Sequence, residues 1–322
     1  MVYKIQGTEV VDSSGNIVPG DKTKFVINQS LNITTGPENG QGSTSGYTSG
    51  GDAPPDSTAI DKFPFASDAN ATNVGDLTQA RDHPAGQSST ENGYTSGGAP
   101  SNKDTIDKFP FASDGNATDV GDLTDPRARV SGQSSTESGY TTGGDTPTST
   151  IIDKFPFAAD ANATDVGDLT QSRNSATGQS STESGYTSGG FTPPSRNTID
   201  KFPFASDANA TDVGDLTQAR DGPAGQSSTV SGYTSGGNAP PLVNTIDKFP
   251  FASDANATDV GDLTETKEDV AGQSSTASGY TSGGSTPPRS NVIEKFPFAS
   301  DVNATDVGDL TQARGAPAGQ QV

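Results

Sequence analysis

Three features of the sequence predict an all-β protein: a six-bladed β-propeller of four-stranded blades behind a short β-rich N-terminal segment. First, Gly-Tyr-Thr-Ser-Gly-Gly, once with Thr for the Ser, begins at Gly46, Gly93, Gly139, Gly185, Gly232 and Gly279. Second, Gly-Gln begins at Gly40, Gly86, Gly132, Gly178, Gly225, Gly272 and Gly319, so the chain of 322 residues repeats every 46 or 47. Third, each copy holds four strand-sized pieces between Gly, Pro, Asn, Asp and Ser clusters, and none carries a capped helical period. A period in the forties with four short strands marks a propeller blade. An open β-solenoid is the alternative, although its coils are usually shorter.

Two domains follow: residues 1–39, outside the period, and residues 40–322, with repeats starting near 40, 86, 132, 178, 225 and 272. In the first, "VYKIQGTEVVDSSGNIV" reads as two short strands around "DSSGN", and "TKFVINQSLNI" as another. Three strands bury too little for a large independent core. The segment is therefore expected to attach or oligomerise by packing on another chain, or to form a small β cap on the ring.

Within each repeat, strand A ("AGQSS") is small and polar, as the crowded centre of a ring requires. Strand B is "GYTSGG", strand C is "TIDKFPFA" and strand D is "TDVGDLT". Pro64 and its equivalents fall inside strand C, where a missing N–H predicts a bulge or an unpaired stretch. Ile60, Phe63, Phe65, Val74, Leu77 and Tyr94, with their equivalents, are the expected packing between blades, because a sheet buries both faces only between two others. The terminal "PAGQQV" is a bare strand A. Either Ala318–Val322 completes the first blade and interlocks the chain ends, or Gly40–Ser45 fills that place and the terminus is a tail.

Composition alone leans towards disorder, with 28% hydrophobic residues, 39 Gly and 22 Pro, but strict repetition can build a continuous core by stacking. A net charge of −21 with no basic stripe argues against nucleic acid and anionic membranes as partners. The chain lacks Cys, which removes disulfide and thiolate chemistry. It has no run of eighteen apolar residues and no apolar signal core at its start, so membrane insertion is not expected; synthesis in a cytoplasm is, with action outside the cell left open through an exported or lysis-released assembly.

Enzyme signals are poor. His83 is the single histidine, and without Cys or a second His the usual nucleophile–base pairs and zinc sites lack their parts. Carboxylates recur in every copy, which points to structure. In "SDANATDVGD", Asp207, Asn209, Thr211, Asp212 and Asp215 space hard oxygens as a calcium loop does, though the closing Glu is missing. The other reading is an Asx-type turn joining strands C and D. No catalytic residue and no cofactor is expected, with calcium the one metal left open. "NAT" is also a glycosylation sequon, relevant only to a secretory pathway.

The copies differ unevenly. Antiparallel order places loops A–B and C–D on one face, where "SSTES" and "SDANATD" are nearly constant. Loops B–C and D–A emerge on the other, and they carry most of the variation. Variable loops above a rigid scaffold are common recognition surfaces. On this face Phe191, Arg196, Leu242, Val243, Arg289, Arg127, Arg129 and His83 are the candidate partner-binding residues, against the alternative of neutral drift.

A Gly pair after strand B (Gly189–Gly190), an aromatic strand C, a turn and a strand ending "DLTQAR" resemble the kelch repeat over residues 40–322. Phe takes the Tyr-like place, and Gly-Asp-Leu stands where Trp is expected. The fuller wording "DKFPFASDANATDVGDLTQAR…AGQSST…GYTSGG" resembles repeat-bearing structural proteins of marine bacteriophages, including cyanophages. The opening "VYKIQGTEVVDSSGNIV" is similar to N-terminal segments of phage tail and fibre proteins. The resemblance implies a non-enzymatic virion protein of the tail, fibre or capsid surface, made in the host cytoplasm. Residues 1–39 would hold other virion proteins, the chain would be able to self-associate, and the ring would meet a host surface protein or glycan. A bacterial cell-surface lectin or interaction scaffold is the alternative class.

Overall fold

Six sheets of four antiparallel strands follow one another along the chain, as the period predicts. The computed structural model describes residues 3–5, 8–11, 41–145 and 147–322. Blade 4 serves as the pattern: strand A is Thr177–Ser180, B is Ser184–Ser188, C is Thr198–Pro203 and D is Thr211–Asp215. The chain divides into two units, Met1–Thr35 and Gly36–Val322. In the first, Tyr3–Ile5 pairs antiparallel with Thr8–Val11. Both strands precede "DSSGN", so they do not pair around it as expected; that turn and the strand in 23–33 lie outside the described residues.

The ring closes through the chain ends. Ala318–Gln321 is strand A of blade 1 and pairs with Ser45–Ser49, Ala318 opposite Ser49 and Gly319 opposite Thr48. The alternative, Gly40–Ser45 in that place, is not what forms. Gly42 makes only an isolated bridge to Ser275 of blade 6, and Gln41 is buried, its amide donating to the Ser227 carbonyl at 3.0 Å. Gln41 thus lies at the A–B end of the axis, beside Ser88 and Ser134 at two strand A ends and Ser181 just past a third.

The proline expectation needs correcting. Pro203 is the last residue of strand C, opposite Ser184, where a missing donor costs the C–D ladder nothing. The register shift lies further back: Ile199 faces Gly214 and Asp200 faces Asp212, leaving Val213 as the extra residue. That bulge has a packing use, because Val213 lies against the cluster of Tyr186, Ile199 and Leu216 with Phe249 and Ala257 of blade 5. The same cluster recurs at each interface, so the core is a set of walls between blades. Tyr186 stacks on Phe251 at 4.9 Å and tilts against Phe249 at 5.5 Å. Such pairs add about 0.5–1.5 kcal/mol each beyond area burial, and the last, Tyr280 on Phe65 at 4.8 Å, closes the circle.

Strand A is small for a measurable reason. A Cβ on Gly178 would lie 2.0 Å from the Gly132 carbonyl oxygen, and Gly86, Gly225, Gly272 and Gly319 meet their neighbours at 2.1–2.2 Å. Gly132 meets Gly86 in the same way, so the six glycines form a closed backbone-to-backbone circle. Gly178→Ala is expected to cost about 1–3 kcal/mol or more, as overpacking against backbone does, measured by urea denaturation. A cost below 0.5 kcal/mol, on the order of a tolerated surface change, would mean that the ring has slack.

The Gln beside each glycine holds the next blade. Gln179 is buried and donates to the Tyr233 carbonyl, Thr234 Oγ1 and Ser188 Oγ at 2.9–3.0 Å. A Ser188–Thr234 hydroxyl bond of 2.8 Å runs alongside. These contacts give the polar letters of "GQSS" and "GYTS" buried, paired roles, as interior polar groups require.

Candidate functional site

The D–A and B–C loops meet on the variable face. Asp82 bridges Ala99, Asn174 bridges Phe191, Asp221 bridges Asn238, Glu268 bridges Ser285 and Asp52 bridges Gly315. In blade 3 the Asp145 amide donates to the Ala128 carbonyl at 3.0 Å, so each B–C loop is laced to the D–A loop that leads into its own blade.

A buried ion pair pins the start of every D–A loop. Arg173, at the end of "DLTQSR", donates to Asp200 of blade 4 at 2.7 Å and to the Thr187 and Thr198 carbonyls at 3.2 Å. Asp200 also accepts from the amide and hydroxyl of Thr170, at 2.9 and 2.7 Å. Equivalent pairs are Arg81–Asp107, Arg127–Asp153, Arg220–Asp247 and Arg314–Asp61. At the remaining interface Lys267 meets Glu294. There a shorter cation faces a longer carboxylate, a paired change that keeps the span. Burial pulls the Arg173 guanidinium below its ordinary value, and Asp200 opposes that pull.

Two residues beyond each cation the backbone turns left-handed. His83, Arg129, Ser175, Gly222, Asp269 and Ala316 have φ of 52, 56, 50, 64, 54 and 49°. Their amides form a closed circle: Arg129 N donates to His83 O, Ser175 to Arg129, Gly222 to Ser175, Asp269 to Gly222, Ala316 to Asp269 and His83 to Ala316, all at 2.7–2.9 Å. Outside glycine this conformation is uncommon and costs about 1–2 kcal/mol per residue. The circle of hydrogen bonds fixes it, and it leaves five side chains and Gly222 at the channel mouth.

Beneath this rim lies a cavity of about 140 Å³, lined by Pro84, Val130, Ala176, Pro223, Val270 and Pro317, and deeper by Ser131, Thr177 and the glycines. At the rim His83 Nδ1 contacts Asp82 at 3.1 Å, and its Nε2 is 3.6 Å from Asp269. Burial works against the imidazolium, but Asp269 and Asp82 outweigh it and raise the group to about 9, so it is charged at neutral pH. Burial, with Asp269 and Asp221 nearby, holds the Glu268 carboxyl above its usual range.

The eight candidate residues separate on this frame. His83 and Arg129 share the rim, and Arg129 is exposed, with Asp145 at 3.4 Å. Arg127 is corrected: it is buried, 2% exposed, and committed to Asp153, so it does not face a partner. Phe191 is 38% exposed on the outer layer. Arg196, Leu242 and Val243 are half-buried in the B–C loops, and the half-buried Arg289 is paired with Asp52 of blade 1. These outer residues are spread over blades 4, 5 and 6. Sequence reasoning missed Ser131, Ser175, Thr177 and Asp269. Aligning the copies on Gly-Gln finds them, because the rim residue always stands three before that glycine and Ser131 and Thr177 stand one before it.

The side chains of the calcium alternative take other partners. Asp207 accepts from Lys154 of blade 3 at 3.0 Å, and Asn209 accepts from the Asp168 amide at 3.1 Å. Asp212 accepts from the Gly214 amide at 3.2 Å, while Thr211 and Asp215 sit in the C–D ladder opposite Lys201 and Thr198. The turn is a strut to the preceding blade, and among the described residues no three His, Cys, Asp or Glu gather as a metal site. No described helix is long and apolar enough to cross a membrane.

No protein-family model and no curated protein matches the chain. The kelch-like resemblance therefore rests on the wording of the repeats, and the phage-like one on that wording and the opening residues.

Proposed function

We propose that this propeller is a non-enzymatic display module of a phage virion, on the tail, fibre or capsid surface, presenting its variable face to a host surface protein or glycan. The observation that carries the reading is the sorting of sequence differences. Both variable loop sets are laced together on one face, while Gln41 lies at the axis on the other. In this reading the ring displays its variable face, and attachment falls to residues 1–39. The virion setting is supported by the wording of the repeats and of the first residues. In it, residues 1–39 hold the neighbouring virion protein.

Cryo-electron microscopy of whole particles tests the placement: the ring is expected on the surface, variable face outward. Finding the chain in the infected cytoplasm and absent from particles would sink the virion setting. Host-cell binding by the purified ring tests display separately. Phe191→Ala is expected to weaken it about tenfold, the effect of truncating an aromatic anchor worth about 1.4 kcal/mol. Unchanged binding would move the contact to the rim.

A further inference from the structure

We propose that the chamber under the variable mouth binds one neutral, polyhydroxylated ring of monosaccharide size. The inference deepens the display reading and rests on it for the source of the ligand.

The first observation is an orphaned hydroxyl. Ser131 lines the chamber, is 3% exposed, and its Oγ has no hydrogen-bond partner. Blades 1, 2, 5 and 6 place Ala318, Ala85, Ala224 and Ala271 at the equivalent position, so the hydroxyl is not a requirement of the ring. A buried polar group without a partner is costly, and a ligand hydroxyl that both donates and accepts would satisfy it. The neighbouring blade adds Thr177 at the same level and Ser175 above it.

The second observation is the asymmetry of the rim. His83 Nε2 is buried without a hydrogen bond, since Asp269 at 3.6 Å is too far for one. Around it stand the Arg129 guanidinium as donor and the Asp269 carboxylate as acceptor. Donors, an acceptor and hydroxyls thus gather over blades 2, 3, 4 and 6. Pro223, Val270 and Pro317 supply an apolar wall for the carbon edge of a ring. Mixed donors and acceptors above one apolar side fit vicinal hydroxyls on a carbon frame.

Charge and size narrow the class. Both cations at the rim already face carboxylates, Asp82 and Asp269 for His83 and Asp145 for Arg129. Asp221 and Glu268 flank them on the inner loops, and the chain carries −21 overall. An acidic sugar finds no free positive charge here, whereas a neutral one needs none. About 140 Å³ is well below the volume of a drug-sized pocket, roughly 300–1,000 Å³. That scale is one ring rather than an oligomer, and the glycine circle closes in beneath it.

Calorimetric titration of the full chain with the methyl glycosides of glucose, galactose, mannose and N-acetylglucosamine tests the proposal. At least one is expected to bind with one-to-one stoichiometry at millimolar concentration or tighter. Ser131→Ala is expected to weaken it about tenfold, and Ser131→Val, which fills the space, to abolish it, with the melting temperature showing that each variant folds. Phe191→Ala, on the outer layer, should leave it unchanged. The same sugar coupled to a carrier protein separates a glycan terminus from a free sugar: both bind if the mouth accepts a linked ring, only the free glycoside if it does not. Either result, lost in Ser131→Val, supports the chamber. If none of the four binds in either form, or binding survives Ser131→Val, the chamber proposal is overturned. Host-cell attachment persisting in that case leaves the display reading standing; sugar binding by a chain absent from particles leaves only the chamber.

Discussion

Asp247→Ala is expected to destabilise the propeller by about 3–5 kcal/mol, the cost of leaving a buried cation without its partner. Asp247 is fully buried and receives Arg220 Nη2 at 2.9 Å, together with the Thr217 amide and hydroxyl at 2.9 and 2.7 Å. Removing the carboxylate strands a guanidinium that burial already pulls below its ordinary value. It also frees the segment leading from blade 4 to Gly222 at the channel rim. The fifth-to-sixth interface supplies the control. There Lys267 and Glu294 preserve the combined reach of the pair, so Lys267→Arg with Glu294→Asp is expected to stay within about 1 kcal/mol of the parent, as volume-conserving swaps do. Glu294→Asp alone shortens one arm and should cost more than the double change. Urea melts of the three variants measure this. A loss under about 1 kcal/mol for Asp247→Ala would mean that water solvates Arg220 on opening.

Deleting Ala318–Val322 is expected to lower the melting temperature by roughly 10–20 °C, from about 5 kcal/mol at 2–4 °C each. The estimate counts about 1 kcal/mol for each buried hydrogen bond removed. Gln320 alone donates to Ser49 Oγ, the Tyr94 carbonyl and Thr95 Oγ1 at 2.9–3.1 Å, and Gly319 and Ala318 complete the ladder to strand B. The glycine circle loses one of its six members at the same time. Differential scanning calorimetry gives the shift, and the peptide Gly-Ala-Pro-Ala-Gly-Gln-Gln-Val added in trans should restore much of it. A deletion that melts with the parent would show that a closed first blade is dispensable.

The architecture was legible because each blade solves one packing problem with the same letters. Tyr186 needs Phe251 across the interface, and a side chain that must meet its equivalent neighbour is repeated at a fixed spacing. The terminal "AGQQV" was readable on the same ground, as a strand without a blade. The bulge was misplaced because Pro203 is conspicuous, whereas the cause is the inward demand of Val213, which only the folded interface reveals. Arg127 and Arg129 looked alike as two basic residues on a variable loop. What separates them is recurrence: position 127 is Arg or Lys in all six copies, while position 129 is His, Arg, Ser, Gly, Asp or Ala. Recurrence marks the buried partner and its loss marks the rim. The chamber was hidden because strand A reads as filler until the ring brings six copies of it around one axis.

The circle of amides at the mouth has a consequence for descent. Its hydrogen bonds are made by main-chain atoms, and the backbone at its positions already accommodates residues as unlike as His83, Asp269 and Ala316. A single codon change there replaces the chemistry at the threshold of the channel and leaves the frame that holds it intact. Six such positions act as interchangeable settings on one dial, while the barrel that carries them stays the same.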